Sequence, residues 1–182
     1  MTSIITKVRN LINDNAVSTF DIFTYGSSSI FTLSESNPIS ITTLYRNDAS
    51  ISTYSFSSTT NKVTISSTLT AGDTVEIDYT CYRNYSDTEI IGYITSALYY
   101  LGNHTYEDYE VESGNNIYPV PTSKEEKLIA MIAALLIDPN NSTVRLPGIT
   151  ISVPNDDPVE KKIGKVIASF KREGKLGIFE NI

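Results

Sequence analysis

The 182-residue chain is poor in the side chains that do sulfur and imidazole chemistry: one cysteine, one histidine, two methionines and no tryptophan. With Cys81 alone, no intrachain disulfide and no cysteine-based metal cluster can form, so the fold must rely on packing, helped if need be by oligomerisation. His104 is the only imidazole, and a catalytic triad would require a nucleophile and an orienting acid beside it. Serines abound, yet no Gly-x-Ser-x-Gly elbow occurs. The nine glycines are scattered and form neither a Gly-x-Gly-x-x-Gly nor a Walker-type loop, which removes the usual sequence support for nucleotide chemistry. Positive charge is scarce too: 14 basic against 21 acidic residues leave a net charge of −7. That balance argues against a dedicated nucleic-acid binder, whose affinity comes from neutralising phosphates. The longest apolar run, Leu128 to Ile137, is half the roughly twenty residues a membrane-spanning helix needs. Met1 to Asp14 mixes charged and apolar residues and lacks the apolar stretch of a signal peptide, so export through such a signal is not expected.

What the chain does have is Ser, Thr and Tyr in alternating patterns. From Phe20 the apolar period is two: Phe20–Tyr25, Ser29–Leu33, Ile39–Tyr45, Ile51–Phe56, Lys62–Ile65 and Thr74–Tyr79 are β-branched and aromatic, which predicts six strands. Gly26, Asn37-Pro38, Arg46-Asn47-Asp48, Thr60-Asn61 and Ala71-Gly72-Asp73 punctuate them. Strands so spaced favour an antiparallel sandwich or small barrel. Of the 65 residues from Ser18 to Tyr82, 27 are Ser or Thr and only Arg46 and Lys62 are basic. A polar face with so little charge costs little to desolvate against a neighbouring protein.

Helical spacing flanks this segment. Ile4, Ile5, Val8, Leu11 and Ile12 form a stripe within Thr2 to Asn15, with Thr2 or Ser3 as cap and Lys7, Arg9, Asn10 and Asn13 on the opposite side. So short a helix is marginal alone and must dock on later helices. Ser86-Asp87-Thr88-Glu89 has the form of a capping box ahead of the stripe Ile90, Ile94, Ala97, Leu98 and Leu101, with Gly102 as the stop. Asn103 to Pro121 is polar, acidic and without a clear period. Ser123-Lys124-Glu125-Glu126 repeats the capping-box form before Lys127 to Asp138, a helix apolar nearly all round and therefore central. Val144 to Leu146 and Ile149 to Val153 flank Pro147-Gly148 as a hairpin. Asp156-Asp157-Pro158 opens a last helix with the stripe Val159, Ile163, Val166, Ile167 and Phe170, and Gly174 ends it. The tail, Lys175 to Ile182, carries Leu176, Ile178, Phe179 and Ile182 and is expected to dock on its own body or on a partner. These features predict an α+β fold: a small bundle of about four helices (1–17 and 83–182) with an inserted antiparallel β-sandwich or barrel subdomain (18–82).

Several groups carry side chains capable of chemistry. Tyr106 to Glu112 contains four carboxylates but lacks the ligand spacing and bend glycine of a calcium loop, so a solvated or interface loop is the better reading. Cys81 reads as a small buried hydrophobe. The sequon matches at Asn84, Asn103, Asn140 and Asn141 carry little weight without a secretion signal. Twelve tyrosines would suit sugar stacking, yet tyrosines in strands mostly serve packing or interfaces. Residues 156–175 hold six basic side chains, Lys161, Lys162, Lys165, Lys171, Arg172 and Lys175, against four acids, which makes the last helix locally basic. On an amphipathic helix such residues ordinarily form the solvated face. Neither a cofactor, a metal nor an enzymatic activity is expected.

The opening Ile5-Thr6-Lys7-Val8-Arg9-Asn10-Leu11-Ile12-Asn13-Asp14, the strand-rich insertion closing with Ala71 to Tyr79, the helix Ser86 to Ile94 and the later helix Leu128 to Pro139 resemble, in this order, the head-to-tail connector (adaptor, or head completion) proteins of tailed bacteriophages. The resemblance covers most of the chain and includes no catalytic motif. It implies a virion protein made in the host cytoplasm and placed in the neck at the portal vertex. Its subunits would form a homo-oligomeric ring, commonly dodecameric, that extends the DNA channel without reading DNA sequence and docks the tail or a stopper protein. In that setting Leu176, Ile178, Phe179 and Ile182 would contact the portal protein or a neighbouring subunit, and Lys161, Lys162, Lys165, Lys171 and Arg172 would face the channel or an interface; the capsid protein is a further possible neighbour and a membrane is not. The insertion is larger than a minimal adaptor needs. An alternative reading is a phage or cell-surface β-type module that recognises glycan or a host protein; an enzyme working through His104 and the acidic connector is the weakest of the three.

Overall fold

The alternation that begins near Phe20 becomes seven strands in the computed structural model, which describes residues 1–104, 108–141, 143–154 and 156–172, without the side chains of Ile149 and Arg172. The chain divides into two compact units, Asp14–Ser86 and Met1–Asn13 with Asp87–Ile182. In the first unit the strands are β1 (Val17–Thr24), β2 (Ile30–Thr32), β3 (Pro38–Arg46), β4 (Ala49–Ser50), β5 (Tyr54–Ser57), β6 (Lys62–Ile65) and β7 (Thr74–Cys81). They make two antiparallel sheets, ordered β1-β7-β3-β4 and β2-β6-β5. Both sheets end in edge strands, so there is no closed barrel, and the barrel half of the expectation is corrected.

One apolar cluster serves both sheets. Phe31, Leu33, Val63 and Ile65 come from β2, the residue after it and β6, while Leu44, Val75, Ile77, Tyr79 and Cys81 come from β3 and β7. The period of two puts Val75, Ile77, Tyr79 and Cys81 on one face of β7, all fully buried. The expected strand Ile51–Phe56 is instead split. Asn47 and Asp48 both take positive φ, 47° and 67°, and form a two-residue hairpin loop that pairs Arg46 with Ala49. After Ser50 the chain leaves this sheet, and from Tyr54 it pairs with β6 in the other. The half-buried Asp21 carboxylate is well matched: it accepts from the Ser34 N–H (2.8 Å), the Ser34 hydroxyl (2.7 Å) and the Tyr79 hydroxyl (3.0 Å). Burial raises the Tyr79 phenol above its ordinary value, against the pull of its hydrogen bonds with Ser34 and Glu35.

The second unit holds α1 (Thr2–Leu11), α2 (Asp87–Gly102), α3 (Ser123–Ile137) and α4 (Val159–Arg172), with the hairpins β8 (Glu110–Glu112)–β9 (Asn116–Tyr118) and β10 (Thr143–Leu146)–β11 (Ile149–Ser152). α3 is central and packs on α1, α2 and α4. Its eight consecutive buried residues, Leu128 to Leu135, reflect a helix apolar on all sides. Its capping box sits one residue earlier than the Ser123 reading: Thr122 accepts from the Glu125 amide, and the Glu125 carboxylate accepts from the Thr122 N–H at 2.7 Å. Burial decides between the two frames, because Glu125 is turned inward and Glu126 is left for α1.

α1 stops at Leu11 rather than Asn15, because Asn13 turns into the left-handed region at φ 56°. Its cap is Met1, with no side-chain cap bond from Thr2 or Ser3. The aperiodic connector also acquires structure: β8 and β9 pair across Gly114 (φ 79°) and Asn115 (φ 59°). At the β10–β11 hairpin, Gly148 takes φ 81° behind Pro147, the combination a type II turn requires.

Candidate interaction surfaces

The basic residues of α4 do not share one environment. Lys161 and Lys165 are on the exposed side, and both ammonium groups bind the Asp157 carboxylate, at 2.7 and 2.5 Å. Hydrogen bonds from Lys161 and Lys165 hold the Asp157 carboxyl below its ordinary value. Lys162 points the other way and is fully buried, its ammonium donating to the Pro139 carbonyl. It therefore leaves the exposed set expected from sequence, because the helix turn that carries Ile163 and Val166 inward takes Lys162 with it. Lys171 is half-buried and has a partner of its own. The Arg172 side chain and the docking candidates Leu176, Ile178, Phe179 and Ile182 lie outside the described residues, as does Lys175.

Among the described residues, α1 is tied by ion pairs to Asp87 and Glu126, and sequence spacing points to neither. Arg9, expected on the solvated side, is 4% exposed, and its guanidinium reaches Asp87 at the start of α2 at 2.6 Å. Lys7 bonds Glu126 of α3 at 2.7 Å, and Ser3 donates to the same carboxylate oxygen at 3.0 Å. Burial pushes the Glu126 carboxyl up, but the hydrogen bonds from Lys7 and Ser3 and the Lys7 charge outweigh it and leave the group below its ordinary value. These pairs join helices far apart in sequence, so no local signal carries them.

The remaining candidates are placed without convergence. His104 is exposed just past α2, and among the described residues its imidazole has no hydrogen-bond partner. Cys81 is fully buried at the end of β7, where desolvation raises the thiol's pKa and keeps it protonated. Asp108, Tyr109 and Glu110 line a cleft of about 580 Å³ against Thr95 and Tyr99 of α2. Among the described residues, no group of three or more His, Cys, Asp or Glu side chains is arranged to hold a metal ion. The exposed tyrosines Tyr54, Tyr99 and Tyr118 sit on β5, α2 and β9, three separate elements.

The most apolar exposed feature of the β unit is one that alternation alone does not single out. β1 is an edge strand, paired on one side only with β7. Its inward residues, Val17, Thr19, Asp21 and Phe23, are half-buried, and its outward residues are Ser18, Phe20, Ile22 and Thr24. Phe20 and Ile22 are 58% and 59% exposed. They stand across the ladder from Asp78 and Glu76 of β7, and the Thr43 hydroxyl of β3 donates to Asp78. The signal in the sequence is that Phe20-Asp21-Ile22-Phe23 is apolar on both faces, which a half-solvated strand does not need. No protein-family model matches the chain, and no curated protein matches its sequence.

Proposed function

We propose that this chain is a structural subunit of a tailed-bacteriophage neck, a head-to-tail connector that assembles as a homo-oligomeric ring under the portal, extends the DNA channel and docks the tail or a stopper protein. The observation that carries the reading is the division of the chain into a four-helix unit interrupted, after its first helix, by an antiparallel β unit with exposed apolar side chains. This is the layout of parts on which the resemblance rests. The β unit is read as a two-sheet sandwich that projects toward neighbouring virion proteins, the capsid protein among them. Its exposed residues are mostly Ser and Thr, which a protein contact desolvates at low cost.

In this reading the exposed Lys161 and Lys165, with Lys171 and Arg172, face the channel or a subunit interface, while Leu176 to Ile182 dock on the portal or a neighbouring subunit. Pairing with Asp157 leaves the first two lysines only partly neutralised, which suits weak, sequence-independent passage of DNA rather than tight binding. Electron microscopy of the purified protein, alone and with the portal protein of the same virion, tests the proposal. Rings with a central hole are expected; a monodisperse monomer under both conditions would end it. Deletion of Lys175 to Ile182 is expected to weaken ring formation or portal attachment, read by native mass spectrometry.

A further inference from the structure

We propose that β1 is a self-complementary contact through which two copies of this chain associate, their β1 strands pairing antiparallel across a two-fold axis at Phe20. The free edge of a strand is a row of backbone donors and acceptors that will pair with another extended chain unless something guards it. The far end of the same sheet is guarded: β3 begins with Pro38, its register slips twice against β7, and β4 covers its end. None of these devices is present on β1. Its register against β7 is unbroken from Val17 to Thr24, and it holds no proline and no lysine. Its single charge, Asp21, is on the inner face, with both carboxylate oxygens engaged by Ser34 and Tyr79. Among the described residues the outer edge of β1 has no strand partner. Phe20 and Ile22 are an independent second feature of the same strand, since their exposure concerns the face and not the edge.

A second copy fits this edge better than an unrelated strand because β1 is itself what the edge selects: extended, unguarded, and uncharged on its outer face. Antiparallel pairing must keep outward residues opposite outward residues, and two such registers overlap seven residues of each strand, centred on Phe20 or on Asp21. Centring on Asp21 sets two carboxylates directly opposite, which is unfavourable. Centring on Phe20 sets Asp21 against Thr19, places the two Phe20 rings side by side and brings Ile22 against Ser18. The acidic neighbours raise no objection. Asp78 of one copy would lie three strand spacings from Asp78 of the other, about 14 Å, beyond the screening length of about 8 Å at physiological salt. A two-fold contact of this kind differs from the head-to-tail contact that closes a ring, so the proposal does not rest on the ring reading.

The test uses the full chain with single cysteines added. Across the two-fold axis the Cα atoms of residue 20 would be about 4.5–5.5 Å apart, within disulfide range. Those of residue 22 would be separated by four residues along the strand, about 14 Å, and out of range. Under mild oxidation Phe20→Cys is expected to give a reducible dimer, while Ile22→Cys stays monomeric on a non-reducing gel, as does the parent chain with its buried Cys81. Phe20→Lys combined with Ile22→Lys alters only exposed side chains and should leave circular dichroism and thermal melting unchanged while halving the particle mass measured by light scattering. No cross-link from Phe20→Cys, equal cross-linking from Ile22→Cys, or an unchanged mass for the double lysine variant would overturn the contact. Rings of unchanged mass in the lysine variant refute the β1 contact and leave the ring reading standing. A dimer that the lysines halve, with no rings by microscopy, does the reverse.

Discussion

Lys161 and Lys162 are adjacent, identical in sequence character and opposite in environment. Lys161 has a 63% exposed side chain bound to Asp157, and Lys162 is fully buried with its ammonium bonded to the Pro139 carbonyl. Lys161→Ala is therefore expected to change stability by no more than about 0.5 kcal/mol. Lys162→Ala removes a buried stem and a charge-assisted bond to Pro139 and should cost about 2 kcal/mol in urea unfolding. Glu126 gives a second residue-scale prediction. Its folded pKa lies below the unfolded value, so its contribution is complete above the ordinary carboxyl value of 4.5 and is lost as pH falls through the folded pKa. Glu126→Gln should lower stability by about 0.5–1 kcal/mol at pH 7. The unfolding free energies of the parent and the variant, measured from pH 7 down to 3, should converge at the acid end; a constant gap would show that the Lys7 pairing is not the cause.

At the scale of elements, the apolar stripes of α1, α2, α3 and α4 were legible because a 3.6-residue period and a buried face are the same fact. Ile90, Ile94, Ala97, Leu98 and Leu101 are all buried, as are Ile163, Val166, Ile167 and Phe170. The ends of the elements were less legible. Two overlapping frames, Thr122 to Glu125 and Ser123 to Glu126, both have the form of a capping box, and the inward turn of Glu125, with Glu126 left to meet Lys7, separates them. Thr122→Ala should cost about 1 kcal/mol and Ser123→Ala less than about 0.5 kcal/mol, measured by thermal or chemical unfolding. The acidic connector showed no period because each strand of the β8–β9 hairpin is three residues long, too short for alternation to register. Its turn chemistry, Gly114-Asn115, was the available signal. The strand predicted over Ile51–Phe56 failed for another reason: a run of β-forming residues does not reveal that the chain changes sheets within it.

For the whole molecule, the apolar cluster of the β unit is supplied entirely by residues between Asp14 and Ser86. A fragment covering those residues is expected to fold alone, with a cooperative thermal transition and dispersed amide resonances; at this size its stability will be modest. A molten or unfolded fragment would show that its core depends on the helical residues. The sequence by itself determined the α+β character, the helical stripes and the sheet-forming interruption, because secondary structure follows from local periodicity and turn residues. It also set the single thiol and histidine and the net charge. Only the tertiary structure decided which lysines reach solvent, which carboxylate meets Arg9 or Lys7, where the chain crosses from one sheet to the other, and which strand is left as an open edge. Those outcomes depend on contacts between residues tens of positions apart, and a local pattern holds no information about which distant element will cover a given face.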